Sequence, residues 1–177
     1  MKIVILTSNG LRHKFFANSL TSKSDDALII SESKPTNSEN LKLNDTNLID
    51  EHFKLRNKTE EYFFPNNPSF SKEPLSIPYK DLNREDIFQK IKDFKPDIVF
   101  IYGSSIIKEP LLSFTTTIPT FNLHLGVSPY YRGSGTNFWP FVNKELEYVG
   151  STILHINSGI DTGKIICHTR PNIEFGD

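Results

Sequence analysis

Two short runs, residues 2–7 (KIVILT) and 97–102 (DIVFIY), constrain this chain more than any other feature. Each is apolar at successive positions rather than at alternate ones, so a strand built from either would bury both of its faces. Strands of that kind belong inside a parallel sheet covered by helices on two sides. Turn residues end both runs: Ser8-Asn9-Gly10 after the first and Gly103 after the second. The covering layers are legible nearby. Residues 12–20 put Phe15, Phe16 and Leu20 at helical spacing, and 27–30 form a further apolar run. Residues 83–94 carry Ile87, Ile91 and Phe94 on one stripe. Asn83 and Asp86 are spaced as an N-cap and capping box there, and Pro96 is the stop. A short helix over 106–114 and a strand over 118–123 follow. Strands alternating with helices predict an α/β fold: an open, mainly parallel, Rossmann-like sheet with helices on both faces. Ligands bind such sheets beyond the carboxyl ends of the strands.

The length of 177 residues suits one domain spanning 1–177. Within it, 31–80 shifts to Asn, Ser, Lys, Glu and Pro and reads as a divergent insertion, with a helix over about 48–64. The stretch EYFFPNNPSF, residues 61–70, reads as a loop packed on the core by its aromatics, or else as a lid over a ligand.

Twenty basic and 21 acidic side chains nearly cancel, which disfavours a dedicated nucleic-acid binder. The lone cysteine, Cys167, cannot form an internal disulfide, and no apolar run approaches the roughly 20 residues of a spanning helix. The opening MKIVILTSNG lacks the long apolar stretch of a secretory signal. These features predict a cytoplasmic protein that engages neither nucleic acid nor membrane. There is no Gly-x-Ser-x-Gly elbow for a serine hydrolase. His13, His52, His124, His155 and His168 are scattered without a ligand pair, so no metal site is assigned. Cys167 is expected to be a small buried hydrophobe.

The residues that could carry chemistry begin at the end of the 118–123 strand. In Asn122-Leu123-His124 the alternation of side chains puts amide and imidazole on one face. A proton-transfer group beside an amide donor suits acyl transfer, in which an amine sheds a proton and a tetrahedral oxyanion must be held. Alone, the pair reads as well as two groups satisfying the main chain at a strand end. Further on come YYRGSGTNFWP (130–140) and GSTILHINSGIDTGKII (150–166), a strand leading into a glycine-rich turn that carries Asp161. By itself, Asp161 reads equally as a turn residue.

Together these segments resemble the family of 10-formyltetrahydrofolate-dependent formyltransferases, which includes the glycinamide ribonucleotide, methionyl-tRNA and sugar-amine N-formyltransferases. The matching elements, in order, are Asn122-Leu123-His124, Tyr131-Arg132-Gly133 and Gly159-Ile160-Asp161-Thr162-Gly163. The resemblance covers about 1–8 and 97–175. It implies that Asn122 polarises a formyl carbonyl, that His124 assists proton transfer or steadies the oxyanion, and that Asp161 orients His124. The co-substrate 10-formyltetrahydrofolate would lie against Ser105, Ile106, Ile107, Ile160 and Thr162, although Ile106 and Ile107 read equally as core at a helix start. The acceptor would meet Asn9, Gly10, Arg12, Tyr131, Arg132 and Gly133. Arg12 and His13 at the first turn suit a phosphate, or are solvated surface cations.

Two departures from the family stand out. Gly126-Val127-Ser128-Pro129 replaces the common Ser-Leu-Leu-Pro after the histidine. The family pattern also runs at least one helix beyond the position of Asp177, which leaves the sheet to be completed by a missing piece or by a partner subunit, as in a homo-oligomer. With tRNA and purine features wanting, elimination points to a small-molecule amine acceptor on a nucleotide-linked amino sugar. Formyltetrahydrofolate hydrolysis, glycinamide ribonucleotide or methionyl-tRNA formylation, and a non-catalytic folate or sugar-nucleotide binding module are the alternatives.

Overall fold

The computed structural model describes residues 1–33 and 46–172, with side chains of the second stretch from residue 50 onward. The first apolar run is β1 (Lys2–Ser8), followed by α1 (Leu11–Thr21) and β2 (Asp26–Ser33). Then come α2 (Thr46–Phe63), β3 (Leu75–Pro78), α3 (Glu85–Phe94) and β4 (Ile98–Tyr102). The C-terminal part holds α4 (Leu111–Thr116), β5 (Thr120–His124), α5 (Trp139–Asn143), β6 (Ser151–Leu154) and β7 (Ile165–Thr169). All seven strands form one sheet in the order β3-β2-β1-β4-β5-β6-β7. The first five are mutually parallel, and β6 and β7 return antiparallel.

The sheet is a mainly parallel α/β sheet because β1 is apolar on both faces. Val4 and Leu6 face α3 and α4, packing with Ile30, Ile77, Leu82, Ile87, Ile91, Val99, Ile101 and Leu111. Ile3 and Ile5 face the other way, where Ala27 and Ile29 meet Ala17 of α1, with Phe16 and Leu20 packed alongside. Burying a branched aliphatic side chain is worth about 1.5–3 kcal/mol, so β1 anchors both layers. Strand order reverses between β1 and β4, and a crevice opens at such a switch point past the strand ends.

Several expectations change in detail. The part of the 31–80 segment at 34–45 lies outside the described residues, but the rest builds into the fold: β3 pairs in parallel with β2 and extends the sheet. In the aromatic stretch, Phe64 packs on Phe15 at 4.9 Å between ring centroids and Phe70 joins the α1 side of the core, while Tyr62 and Phe63 stay exposed. Asn83 does not cap α3. The cap position is Arg84, whose guanidinium pairs with Asp81 and Asp86, and the Asn83 side chain is drawn instead to the main chain of 106–108.

The helix expected over 106–114 shrinks to α4, because Pro110 lacks an amide hydrogen and restricts the residue before it. Cys167 is exposed rather than buried, since all five residues of β7, the last strand in the sheet order, are exposed. Among the described residues no helix is long and apolar enough to cross a membrane.

Candidate active site

Asn122 and His124 occupy the last turn of the pleat in β5, two residues apart, so both side chains leave the sheet in the same direction. Both meet Asp161. The Asn122 amide donates to Oδ1 of Asp161 at 3.1 Å, and Nδ1 of His124 lies 3.2 Å from Oδ2. The histidine is 6% exposed and the aspartate 13%, so the pair works largely out of water, where electrostatic contacts are strongest.

The turn that delivers Asp161 is built locally. Asn157 accepts from Gly159 N at 3.0 Å and from the Thr162 hydroxyl at 2.7 Å, the self-folding habit of asparagine in turns. Asp161 itself sits at φ 51°, a left-handed conformation that short polar side chains tolerate. Gly163 closes the turn onto His155, and a Cβ there would come within 1.6 Å of the His155 carbonyl oxygen.

The segment after β5 wraps back over the same side chains. Gly133 N donates to Oδ2 of Asp161 at 3.1 Å, and the Tyr131 carbonyl lies 2.9 Å from Nε2 of His124. Both ring nitrogens thus face oxygen acceptors. The wrap is possible because of Gly126: a Cβ there would stand 2.6 Å from Nε2 of His124 and 2.8 Å from the Tyr131 carbonyl oxygen. Glycine at this departure from the family motif is therefore a steric requirement of how the loop closes. Thr152 pins the loop from below, donating to the Gly126 carbonyl at 2.6 Å and accepting from Ser128 N at 3.0 Å.

These groups floor a cleft of about 1620 Å³ at the carboxyl ends of β1, β4 and β5. Its walls are the first turn, the 103–107 loop, the Asp161 turn and residues of α2.

No protein-family model matches the chain. Over 98 residues it is 33% identical to the methionyl-tRNA formyltransferase of Clostridium beijerinckii, a match covering 52% of this chain and 30% of that protein. The methionyl-tRNA formyltransferase of Clostridioides difficile is 32% identical over 103 residues, covering 57% and 32%. The match thus spans about a third of the length of these curated relatives. In three dimensions the chain is similar to phosphoribosylglycinamide formyltransferase from Anaplasma phagocytophilum, with TM-score 0.62 at 16% identity over 95% of this chain and 70% of that one. The Bacillus halodurans counterpart gives 0.60 at 19%, covering 99% and 82%. A sugar N-formyltransferase from a Shewanella species gives 0.57 at 18%, covering 98% and 58%. The chain is thus similar in part of its sequence, and in its fold, to formyltransferases.

The remaining positions singled out from the sequence divide around this cleft. Asn9, Gly10, Arg12, Ser105, Ile106, Ile107, Gly133, Ile160 and Thr162 all border it. Ile106 and Ile107 take different parts: Ile106 is 60% exposed, whereas Ile107 packs against the core. Tyr131 and Arg132 lie outside the cleft wall. The Tyr131 hydroxyl donates to Glu145 and receives the Asn143 amide at 2.8 Å, and the Glu145 hydrogen bond, ahead of burial, holds its pKa above the ordinary tyrosine value.

Arg12 is not a solvated cation. Its guanidinium donates to Glu60 of α2 at 3.0 Å, and Arg56 approaches the same carboxylate at 3.8 Å. His13 is buried against Tyr102, with ring centroids 4.7 Å apart, so it is not a surface cation either.

Sequence reading missed Glu145, Asn157, Glu32 and Asn83 in its account of the site. Asn157 was detectable, because Asn-Ser-Gly ahead of the Asp161 turn is an Asx-turn signature. The other three act through contacts distant in sequence, which no local pattern announces.

Proposed function

We propose that this chain transfers a formyl group from 10-formyltetrahydrofolate to a primary amine, without a covalent enzyme intermediate. The observation that carries the proposal is the joining of Asn122 and His124 through the two oxygens of Asp161, at 3.1 and 3.2 Å, on the floor of the cleft. The Asn122 amide has a second N–H, which would donate to the formyl oxygen as the amine nitrogen attacks the formyl carbon. His124, aligned by Asp161, would exchange its Nε2 contact with the Tyr131 carbonyl for the substrate, there to relay the proton that the amine loses or to steady the developing oxyanion. Collapse then re-forms the carbonyl, breaks the bond to N10 of the folate and leaves the proton on that nitrogen. Such a transfer asks the protein chiefly for positioning and a fixed electrostatic environment. Ser105, Ile106, Ile107, Ile160 and Thr162 would border the folate, and Asn9, Gly10 and Gly133 the acceptor.

For the acceptor we favour a small molecule bearing a primary amine, and specifically a nucleotide-linked amino sugar. A formal net charge of −1 supports a small acceptor, since gathering a polyanion normally takes a basic excess. A methionyl-tRNA acceptor is the second reading, favoured by the names of the relatives that are 32–33% identical.

The test is absorbance-monitored consumption of 10-formyltetrahydrofolate with each acceptor in turn: nucleotide-linked amino sugars, glycinamide ribonucleotide and methionyl-tRNA. Loss that requires one of them establishes the transferase and names its acceptor. Acceptor-independent loss indicates a hydrolase, and no loss with any of them rejects the proposal.

A further inference from the structure

The sheet end between β2 and β4 holds a buried carboxylate that takes no part in the proposed chemistry. Glu32, the penultimate residue of β2, has no solvent exposure. Burying a carboxylate is costly unless donors surround it. Glu32 has three: Oε2 accepts from Ser105 N at 2.5 Å, and Oε1 accepts from the Ser105 hydroxyl at 2.7 Å and from Lys80 N at 2.9 Å. Two of these donors belong to the loop on the cleft wall, and the third to the residue before the Asp81–Asn83 turn.

That turn reaches the same loop a second time. Asn83 donates to the Ile106 carbonyl at 2.8 Å and accepts from Lys108 N at 2.7 Å. The 105–108 segment, which lies in neither a strand nor a helix, therefore hands the Ser105 amide and hydroxyl, the Ile106 carbonyl and the Lys108 amide to two side chains, Glu32 and Asn83. Between those anchor points Ile107 is held into the core and Ile106 is left exposed at the cleft. An aliphatic residue at position 32 would bury at less cost but would leave Ser105 N without its acceptor.

We propose that Glu32 and Asn83 are positioning residues for the co-substrate wall of the cleft: they set the course of the 105–108 backbone and, through it, the fit of the folate ring. This rests on the reading of the cleft as a formyl-folate site. It also gives the 75–83 segment a role, since β3 and the turn after it carry the clamp to the loop without touching substrate.

The experiment compares wild type with Glu32→Gln and Asn83→Ala. A glutamine keeps the size of Glu32 but offers one acceptor oxygen for three donors. Two readouts are taken: steady-state kinetics with 10-formyltetrahydrofolate, and hydrogen–deuterium exchange across 104–108 without ligand. The expected result is faster exchange at 104–108 in both variants. KM for 10-formyltetrahydrofolate should rise about tenfold or more in Glu32→Gln, with kcat and the acceptor KM changed by less than about threefold. Asn83 is only half-buried, so Asn83→Ala carries the test if Glu32→Gln fails to fold. Unchanged exchange, or an unchanged folate KM in a folded variant, overturns the positioning role. A wild type that consumes no formyl-folate overturns the proposed function instead, and the exchange result still decides whether the clamp exists.

Discussion

Oδ2 of Asp161 lies 3.2 Å from Nδ1 of His124, although the two residues come from a glycine-rich turn and from the end of β5. The contact gives one side of the imidazole a fixed partner, and the other carboxylate oxygen gives the Asn122 amide one as well. Three side chains thereby share one orientation.

Asp161→Asn should lower kcat by about a hundredfold to ten-thousandfold while leaving the fold intact. Asparagine tolerates the left-handed backbone at φ 51°, so the turn survives while the charge facing His124 disappears. His124→Ala should lose activity to a similar extent, and the double variant should be no slower than His124→Ala alone, because residues acting as a unit are not additive. Near-normal turnover in either single variant, with circular dichroism unchanged, would remove these residues from the chemistry.

Gly126→Ala should damage stability and activity together. Its Cβ would come within 2.6 Å of both Nε2 of His124 and the Thr136 Cβ, and overpacking of that kind costs about 1–3 kcal/mol. For a domain of this size the melting temperature should fall by about 2–4 °C per kcal/mol. A variant that melts with wild type and turns over normally would mean that the loop does not close on the histidine as described.

Alkaline stability should report on Tyr131. The Glu145 hydrogen bond raises its pKa above the ordinary value of 10.0 in the folded chain, so above that pH the folded state binds more protons than the unfolded state. Its contribution is therefore complete below the unfolded value and is lost as pH rises through the folded one. Tyr102, raised by burial, acts with the same sign. Urea unfolding of wild type and Tyr131→Phe between about pH 9 and 11.5 should show a shallower decline for the variant. An identical slope would place the Tyr131 hydroxyl in the same environment folded and unfolded.

The parts of the fold that were legible in the sequence are those specified by local periodicity. KIVILT and DIVFIY suit burial as central strands, and Ile87, Ile91 and Phe94 together could share a face only on a helix. The Asn122–His124 spacing was legible for the same reason, since strand alternation puts both side chains on one side. Asp161 was located by the pattern of its glycine-rich turn, but nothing local says that the turn folds back to within hydrogen-bonding reach of β5. That distance depends on the β6 pairing and on the close packing of Gly163 over His155.

Asn83 shows the limit most clearly. By sequence it has the spacing of an N-cap, yet its amide reaches the main chain of 106–108 and leaves the start of α3 to Arg84. Glu32 lies two residues past the apolar run of 27–30 and carries no local signal of burial, and only the arrival of Lys80 and Ser105 beside it makes a buried carboxylate tolerable. Which segments must be buried, and which residue types stand at the strand ends, follows from the order of residues, because side-chain periodicity is a property of neighbours along the chain. Which of those polar groups meet is fixed by the fold, because hydrogen bonds of about 3 Å depend on how distant segments pack.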